Sequence, residues 1–196
     1  MDKIIVRNIA KAFSGKKLFS DVSLEIEKGA SVCLMGPSGS GKTTLIRILA
    51  GLEKPDEGEV SGIDPKRISF VFQEDRLIEH ASALTNCILP LKSKDAKEKG
   101  MAALKELGLE GEEWKPARKL SGGMARRVAI ARAMLSDADV VFLDEPFKGL
   151  DKENHENAIR FVKKHAQGKT LIVVTHNMDE AKKLADVIYE VRMADE

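Results

Sequence analysis

Apolar residues recur along the chain with two different periods. The stretches "KIIVRNI" and "VSLEIEKG" alternate in part between apolar and polar residues, which predicts two strands near the N-terminus. "ASVCLMG", "VVFLDE" and "TLIVVT" are short, almost uninterrupted apolar runs, and such runs favour buried strands of a parallel sheet. "GEVSG" and "RISFVFQ" predict two further strands. The chain therefore contains enough strand signals for one substantial sheet.

Segments with helical spacing follow or separate these strands. "TTLIRILAG" comes directly after "ASVCLMG", and "KENHENAIRFVKKHAQG" separates the last two apolar runs. One face of the latter carries a single apolar stripe, formed by Ala158, Phe161, Val162 and Ala166. Alternation of buried strands with helices of this kind is typical of a parallel α/β sheet.

The pattern changes between about residue 75 and residue 135. "DAKEKGMAALKELG" predicts a helix with Asp95 as its N-cap and Gly108 at its end. We interpret 75–135 as a helical subdomain, inserted between a β subdomain with core strands (about 1–74) and the rest of the core (136–196). Residues 1–196 are then a single domain.

Composition restricts the function of this chain. With 32 Lys and Arg against 31 Asp and Glu, its net charge is only +1, so we expect no direct binding of nucleic acid. "MDKIIVRNIA" lacks the features of a signal peptide, and no apolar run approaches the roughly 20 residues of a membrane span, which predicts a cytoplasmic protein. Cys33 and Cys87 lie in or near apolar runs, and we expect both to be buried free thiols.

A glycine-rich loop lies between a predicted strand and a predicted helix. "GPSGSGKT" fits the pattern GxxxxGK[ST], in which backbone N–H groups surround phosphate oxygens. We expect Lys42 to reach the β- and γ-phosphates and Thr43 to bind Mg²⁺. The alternative is a glycine-rich turn with an exposed lysine. The predicted ATP-binding residues of this loop are Gly36, Pro37, Ser38, Gly39, Ser40, Gly41, Lys42, Thr43 and Thr44.

An acidic pair follows the apolar run "VVFL". Asp144 would hold Mg²⁺ at the carboxyl end of its strand, and Glu145 would act as general base toward water. An acidic strand end is often simply solvated. The acidic pair indicates a site for Mg²⁺ and water only in combination with the phosphate loop.

"LSGGMARRVAIARAM" places two glycines at a predicted helix start. Ser121 suffices as the cap, whereas Gly122 and Gly123 each lower helix propensity by about 1 kcal/mol relative to alanine. Either the segment is a flexible loop before a capped helix, or the missing side chains let a ligand approach the backbone.

Taken together, the motifs resemble those of the nucleotide-binding subunits of ABC transporters. "GPSGSGKTT", "VFQED", "LSGGM", "VVFLDEP", "GLD" and "VVTHNMDEA" occur in the order and approximate spacing of that family. The resemblance implies a P-loop NTPase (RecA-type) core with a mostly parallel sheet, an N-terminal antiparallel β subdomain and an inserted helical subdomain. It also implies that two copies pack head to tail, with ATP between the phosphate loop of one and the LSGG segment (residues 120–123) of the other.

The same resemblance implies roles for single residues. Ser121 and Gly123, with Gly122 between them, would face the γ-phosphate bound to the second copy. Gln73 would contact Mg²⁺ and the attacking water, and His176 the γ-phosphate. Asp151 would link the two sites. Phe13 would stack on adenine, although it would equally well cover the edge of a sheet.

One residue departs from the family motif, and one segment resembles a particular group of importers. Met124 stands where the family has glutamine, and its role is left open. "EDRLIEHASALTNCILPL" is similar to importer subunits for nitrate, sulfonate or taurine. Four apolar residues of this segment would line a groove for a permease or simply pack in the core: Leu77, Ile78, Leu84 and Ile88.

The resemblance therefore predicts an ATPase on the inner face of the membrane. It would work with a permease and an extracytoplasmic solute-binding protein. The alternative is an ABC-type ATPase that acts on DNA or ribosomes.

Overall fold

The computed structural model describes residues 3–191. The strands are β1 (Lys3–Phe13), β2 (Lys16–Glu27), β3 (Ser31–Met35), β4 (Glu57–Ser61), β5 (Ile68–Val71), β6 (Val140–Asp144), β7 (Thr170–Val174) and β8 (Val187–Glu190). The helices are α1 (Lys42–Leu49), α2 (Ala83–Ile88), α3 (Ala96–Glu106), α4 (Gly122–Leu135), α5 (Lys152–His165) and α6 (Met178–Leu184), with a 3₁₀ turn at Ala117–Lys119.

Within the described residues the strands form two sheets. β5, β6, β7, β3 and β8 lie side by side in that order, and every pair among them is parallel. β2, β1 and β4 form a separate antiparallel sheet. The predicted α/β fold, with its mostly parallel sheet and its N-terminal antiparallel sheet, is confirmed.

The parallel sheet is buried on both faces, which explains its uninterrupted apolar runs. Along β6, Val140 and Phe142 belong to a core shared with α1 and the antiparallel sheet. Val141 and Leu143 point the other way, into a core shared with α2, α3, α4 and α5. Successive side chains of a strand face opposite sides, so a strand covered on both faces needs apolar residues throughout.

The four residues predicted to line a permease groove differ in burial. Leu84 is buried in the core, and Leu77 and Ile88 pack against it. Ile78 is 47% exposed. Core packing thus accounts for Leu84, while Ile78 remains available to a partner. The boundaries of the helical subdomain stay a prediction.

The predicted helix ends are right in two cases and wrong in one. The Ser121 hydroxyl accepts the Met124 N–H at 3.3 Å and caps α4, and Gly108 follows α3 with φ +67°. Asp95 precedes α3 but caps nothing, because its backbone (φ −90°, ψ 12°) is not extended and its carboxylate pairs with Lys99 at 3.0 Å.

Both cysteines are buried, and neither forms a disulfide in the described part of the chain. Burial raises the pKa of Cys33 and of Cys87 to about 12. No helix between residues 3 and 191 has the length and apolar character needed to cross a membrane.

Candidate nucleotide-binding site

The phosphate loop connects β3 to α1, and its own geometry requires glycine. Gly41 has φ +84°, and a Cβ there would lie 2.7 Å from side-chain atoms of Leu18 and Phe19. A Cβ on Gly36 would lie 2.4 Å from the Val191 carbonyl oxygen. Cβ atoms do not approach non-bonded heavy atoms this closely, so larger residues would displace the loop or its neighbours.

Lys42 begins α1 and folds back over the loop. Its Nζ donates hydrogen bonds of 2.8 Å to the carbonyl oxygens of Gly36 and Pro37. The Ser40 hydroxyl is buried with no hydrogen-bond partner among residues 3–191. The loop thus places an ammonium and an unsatisfied hydroxyl beside the positive end of a helix, which is an environment suited to phosphate.

A second group of polar atoms lies where β5 and β6 end. The Thr43 hydroxyl donates to Asp144 Oδ1 at 3.2 Å, and Gln73 Nε2 donates to the Thr43 Oγ1 at 3.4 Å. Asp144 Oδ2 is buried and finds no partner in the described chain. Burial raises the pKa of Asp144, and the bond from Thr43 offsets this in part. A buried carboxylate oxygen without a donor suits a cation.

Glu145 and His176 come together at the ends of β6 and β7. His176 Nδ1 lies 3.0 and 2.9 Å from the two carboxylate oxygens of Glu145. The Glu145 side chain is 14% exposed and that of His176 is 71% exposed. Glu145 also has φ +50°, a conformation that costs a non-glycine residue about 1–3 kcal/mol. Its backbone N–H donates to the Val174 oxygen at 2.9 Å, which helps to hold it there.

These groups surround one cleft of about 560 Å³. Its lining residues are Phe13, Leu18, Ser38, Gly39, Gly41, Lys42, Thr43, Thr44, Gln73, Glu145, Lys148, Val174 and His176. Most residues predicted for ATP and Mg²⁺ are therefore brought to one place, although their roles stay predictions. Four of the residues predicted for ATP or Mg²⁺ in the loop and at the end of β6 do not line the cleft: Gly36, Pro37, Ser40 and Asp144.

The LSGG segment and Asp151 lie outside this cleft. Ser121 and Gly122 are exposed at the start of α4, and neither lines the cleft of its own chain. Asp151 caps α5 by accepting the Asn154 N–H at 3.0 Å, and this bond lowers its pKa. Met124 packs its side chain against the core that contains α4, so an apolar residue at that position has a structural use.

Sequence reasoning missed a polar network next to His176. Glu180, which is 7% exposed, accepts a hydrogen bond from the Thr175 hydroxyl and lies 2.7 Å from His155 Nε2. Thr175 Oγ1 in turn accepts the Asn177 N–H at 3.1 Å. Thr175, Asn177 and Glu180 lie close to His176 in the sequence, whereas His155 lies on α5, and only the packing of α5 against α6 reveals that His155 and Glu180 meet.

The fold and the cleft define a P-loop nucleotide-binding protein, with its polar groups at the carboxyl edge of a parallel sheet. Comparison with known proteins identifies the family within this class. Residues 19–148 match the model of the family described as ABC transporter. The chain belongs to the ABC transporter family and is an ATP-binding ATPase subunit of it.

Curated relatives extend the comparison. The chain is 39% identical to the sulfate/thiosulfate import ATP-binding protein CysA 2 of Rhizobium meliloti (strain 1021), over 94% of this chain and 56% of that protein. It is also 39% identical to the aliphatic sulfonates import ATP-binding protein SsuB 2 of Paraburkholderia xenovorans (strain LB400), over 96% of this chain and 76% of the relative. The chain thus spans about half to three quarters of these proteins.

A solved structure agrees with the fold. The dimeric, post-hydrolysis state of the ATP-binding cassette MJ0796, bound to ADP and Pi, matches with a TM-score of 0.85 at 31% identity. The match covers 96% of this chain and 94% of that one.

Proposed function

We propose that this chain hydrolyses MgATP as one half of a head-to-tail dimer and thereby drives solute import through a separate permease. The observation that carries the proposal is the convergence of Lys42, Thr43, Gln73, Glu145 and His176 on one cleft, while the LSGG segment lies outside it. A dimer would bring the second half of the site to this cleft. The dimeric state of the MJ0796 cassette supports this arrangement.

Mg²⁺ fits the donors at the end of β6. The buried Asp144 Oδ2 lacks a partner, and the Thr43 hydroxyl lies beside the same carboxylate. Residues 3–191 contain no cluster of three or more His, Cys, Asp or Glu side chains that would hold a metal alone. Mg²⁺ commonly takes only one or two protein oxygens and completes its shell with phosphate and water. Asp144, Thr43 and Gln73 would hold it, and its charge would offset that of the phosphates.

The chain's own side chains would supply the remaining chemistry. Lys42 would exchange its two carbonyl bonds for phosphate oxygens. Glu145 would take a proton from the attacking water, with His176 holding its carboxylate in place. A neutral imidazole donates through one nitrogen only, so His176 would turn or gain a proton to donate to the γ-phosphate as well. Phe13, 50% exposed at the rim of the cleft, would stack on adenine.

The names of the relatives support a proposal about the partners. Since they are named as import ATP-binding proteins, we assign this chain to an importer with a membrane permease and an extracytoplasmic solute-binding protein. The chain would then lie in the cytoplasm, on the inner face of the membrane. Ile78, exposed after Gln73, would contribute to the permease contact. The solute would be selected by the permease and the binding protein.

Glu145→Gln tests the catalytic part of the proposal. The amide keeps the shape of the side chain but takes no proton, so turnover should fall by about 10²–10⁴-fold. A fluorescent ATP analogue should still bind. Because bound ATP persists, size-exclusion chromatography in ATP should show a dimer. Wild-type turnover, together with a monomer in ATP, would refute the assignment.

A further inference from the structure

Arg126 is a buried cation that contacts two of the predicted motifs, the segment around Gln73 and Glu145. It lies in the second turn of α4, and only 4% of its surface is exposed. Burying a guanidinium is costly unless its N–H groups find acceptors. Its acceptors therefore indicate what the side chain does.

The side chain bridges two segments that contribute to the cleft. Nη1 donates to the carbonyl oxygen of Phe72 and, at 3.2 Å, to Asp75 Oδ1. Nη2 donates to the carbonyl oxygen of Glu145 at 2.9 Å. Phe72 precedes Gln73 and Asp75 follows it, so one guanidinium holds the chain on both sides of Gln73 and at Glu145.

A second arginine of α4 fastens the same segment but does not reach Glu145. Arg132 donates to the carbonyl oxygens of Asp75 and Arg76 at 3.1 and 3.0 Å. Arg76 stacks on the Phe72 ring, 3.8 Å from its centroid. Segment 72–76 is therefore tied to α4 at two points, and Arg126 alone of these two also contacts Glu145.

We propose that Arg126 is a positioning residue that couples the two ATP sites of the dimer. The inference rests on the proposed function: α4 begins at Ser121, which would act on the ATP held by the second copy. Gln73 and Glu145 act on the ATP held by their own chain. Arg126 joins α4 to both by hydrogen bonds, so closure of α4 onto one ATP aligns Gln73 and Glu145 at the other.

The chain offers matched variants for a test. Arg126→Met removes all three hydrogen bonds and keeps a long apolar stem. Arg126→Lys keeps the charge, but a single ammonium does not span acceptors on both segments. Arg132→Met removes a half-buried arginine of the same helix that contacts the same segment, and it leaves the bond to Glu145 in place.

The experiment measures hydrolysis against MgATP concentration, binding of a fluorescent ATP analogue, and thermal unfolding. We expect cooperative hydrolysis from the wild type and from Arg132→Met. In Arg126→Met the Hill coefficient should fall to about 1 and kcat by roughly tenfold, within the usual range of coupling between sites, while the analogue's Kd changes less than about twofold. Arg126→Lys should be intermediate, and it replaces Arg126→Met if that variant does not fold.

Two results would overturn the coupling. One is wild-type cooperativity and kcat in Arg126→Met; the other is an equal loss of both in Arg132→Met. A wild type that hydrolyses ATP without cooperativity and forms no dimer in ATP would refute the dimeric function, and the coupling with it.

Discussion

The phosphate loop and the LSGG segment both contain glycines, but the surrounding chain restricts side chains only in the phosphate loop. In the loop, Gly41 has a positive φ, and a Cβ would collide with Leu18. At the start of α4, a Cβ on Gly122 would meet no atom of the described chain within 4 Å. One on Gly123 would reach Leu150 at an ordinary 3.6 Å. The fold of this chain demands the first kind of glycine and tolerates a side chain at the second.

The surroundings of Gly122 and Gly123 do not explain why glycine occurs at these two positions. Glycine in an early helical turn lowers helix propensity, and nothing in the surrounding chain requires it. A requirement for glycine at Gly122 and Gly123 would therefore have to come from outside the described chain. A phosphate bound to a second copy would need close access to these backbone N–H groups at the positive end of α4.

Among the variants that test this comparison, the largest effect is expected from blocking the exposed start of α4 at Ser121. Ser121→Arg places a long side chain where the second copy's ATP would lie, so hydrolysis should fall by about 10²–10³-fold, as when a transition-state donor is lost. Binding of a fluorescent ATP analogue to the monomer should persist, because Ser121 lies outside the cleft.

Ser82→Ala is the control for the lost helix cap. The Ser82 hydroxyl caps α2 by accepting the Thr85 N–H at 3.1 Å, as Ser121 caps α4. Its removal should cost about 1 kcal/mol of unfolding free energy and leave hydrolysis unchanged. Unchanged hydrolysis in Ser121→Arg would show that the LSGG segment is not part of the site.

A pair of alanine variants separates the two kinds of glycine. Gly41→Ala should lower the free energy of unfolding by about 1–3 kcal/mol, through its positive φ and its contact with Leu18. Gly123→Ala should keep or raise the unfolding free energy, yet reduce hydrolysis by about tenfold. Urea denaturation and a phosphate-release assay measure both quantities. Equal stability losses in the two variants would contradict the comparison.

The smallest expected effect is a difference between the two thiols. Burial raises the pKa of both to about 12, so the native protein should react only slowly with an aromatic disulfide reagent at pH 8. Cys33 lies in β3, which carries the phosphate loop, whereas Cys87 lies in α2. MgATP should slow the modification of Cys33 several-fold more than that of Cys87, because it stabilises the loop against local opening. Equal protection, measured in Cys33→Ser and Cys87→Ser, would show that ATP stabilises both regions alike.

Much of this architecture was predictable because it depends on local patterns. The apolar runs of β3, β6 and β7 and the glycines of the phosphate loop are short-range signals, and the structure has them where the sequence predicts them. The helix start at Ser121 is equally local. Asp95 shows the limit of such reasoning, since a suitable residue type caps nothing when its backbone is not extended.

The connections between motifs were not predictable. Arg126 and Glu180 are ordinary charged residues in the sequence, and their importance comes from partners that only folding brings close. Arg126 donates to the Glu145 carbonyl oxygen, and Glu180 lies beside His155 on another helix. A long side chain has many rotamers, and packing decides which acceptor it meets. Only the folded structure shows that one guanidinium contacts both the Gln73 segment and Glu145.

The position of β3 has a consequence for biosynthesis. This strand is paired with β7 and β8, and the Ser31 N–H donates to Asp186, 155 positions later. The Met35 carbonyl, next to the phosphate loop, accepts the Val191 N–H at 2.7 Å. A ribosome makes the loop early and these partners late. A nascent chain therefore gains these contacts beside the phosphate loop only after β8 and Val191 have been translated.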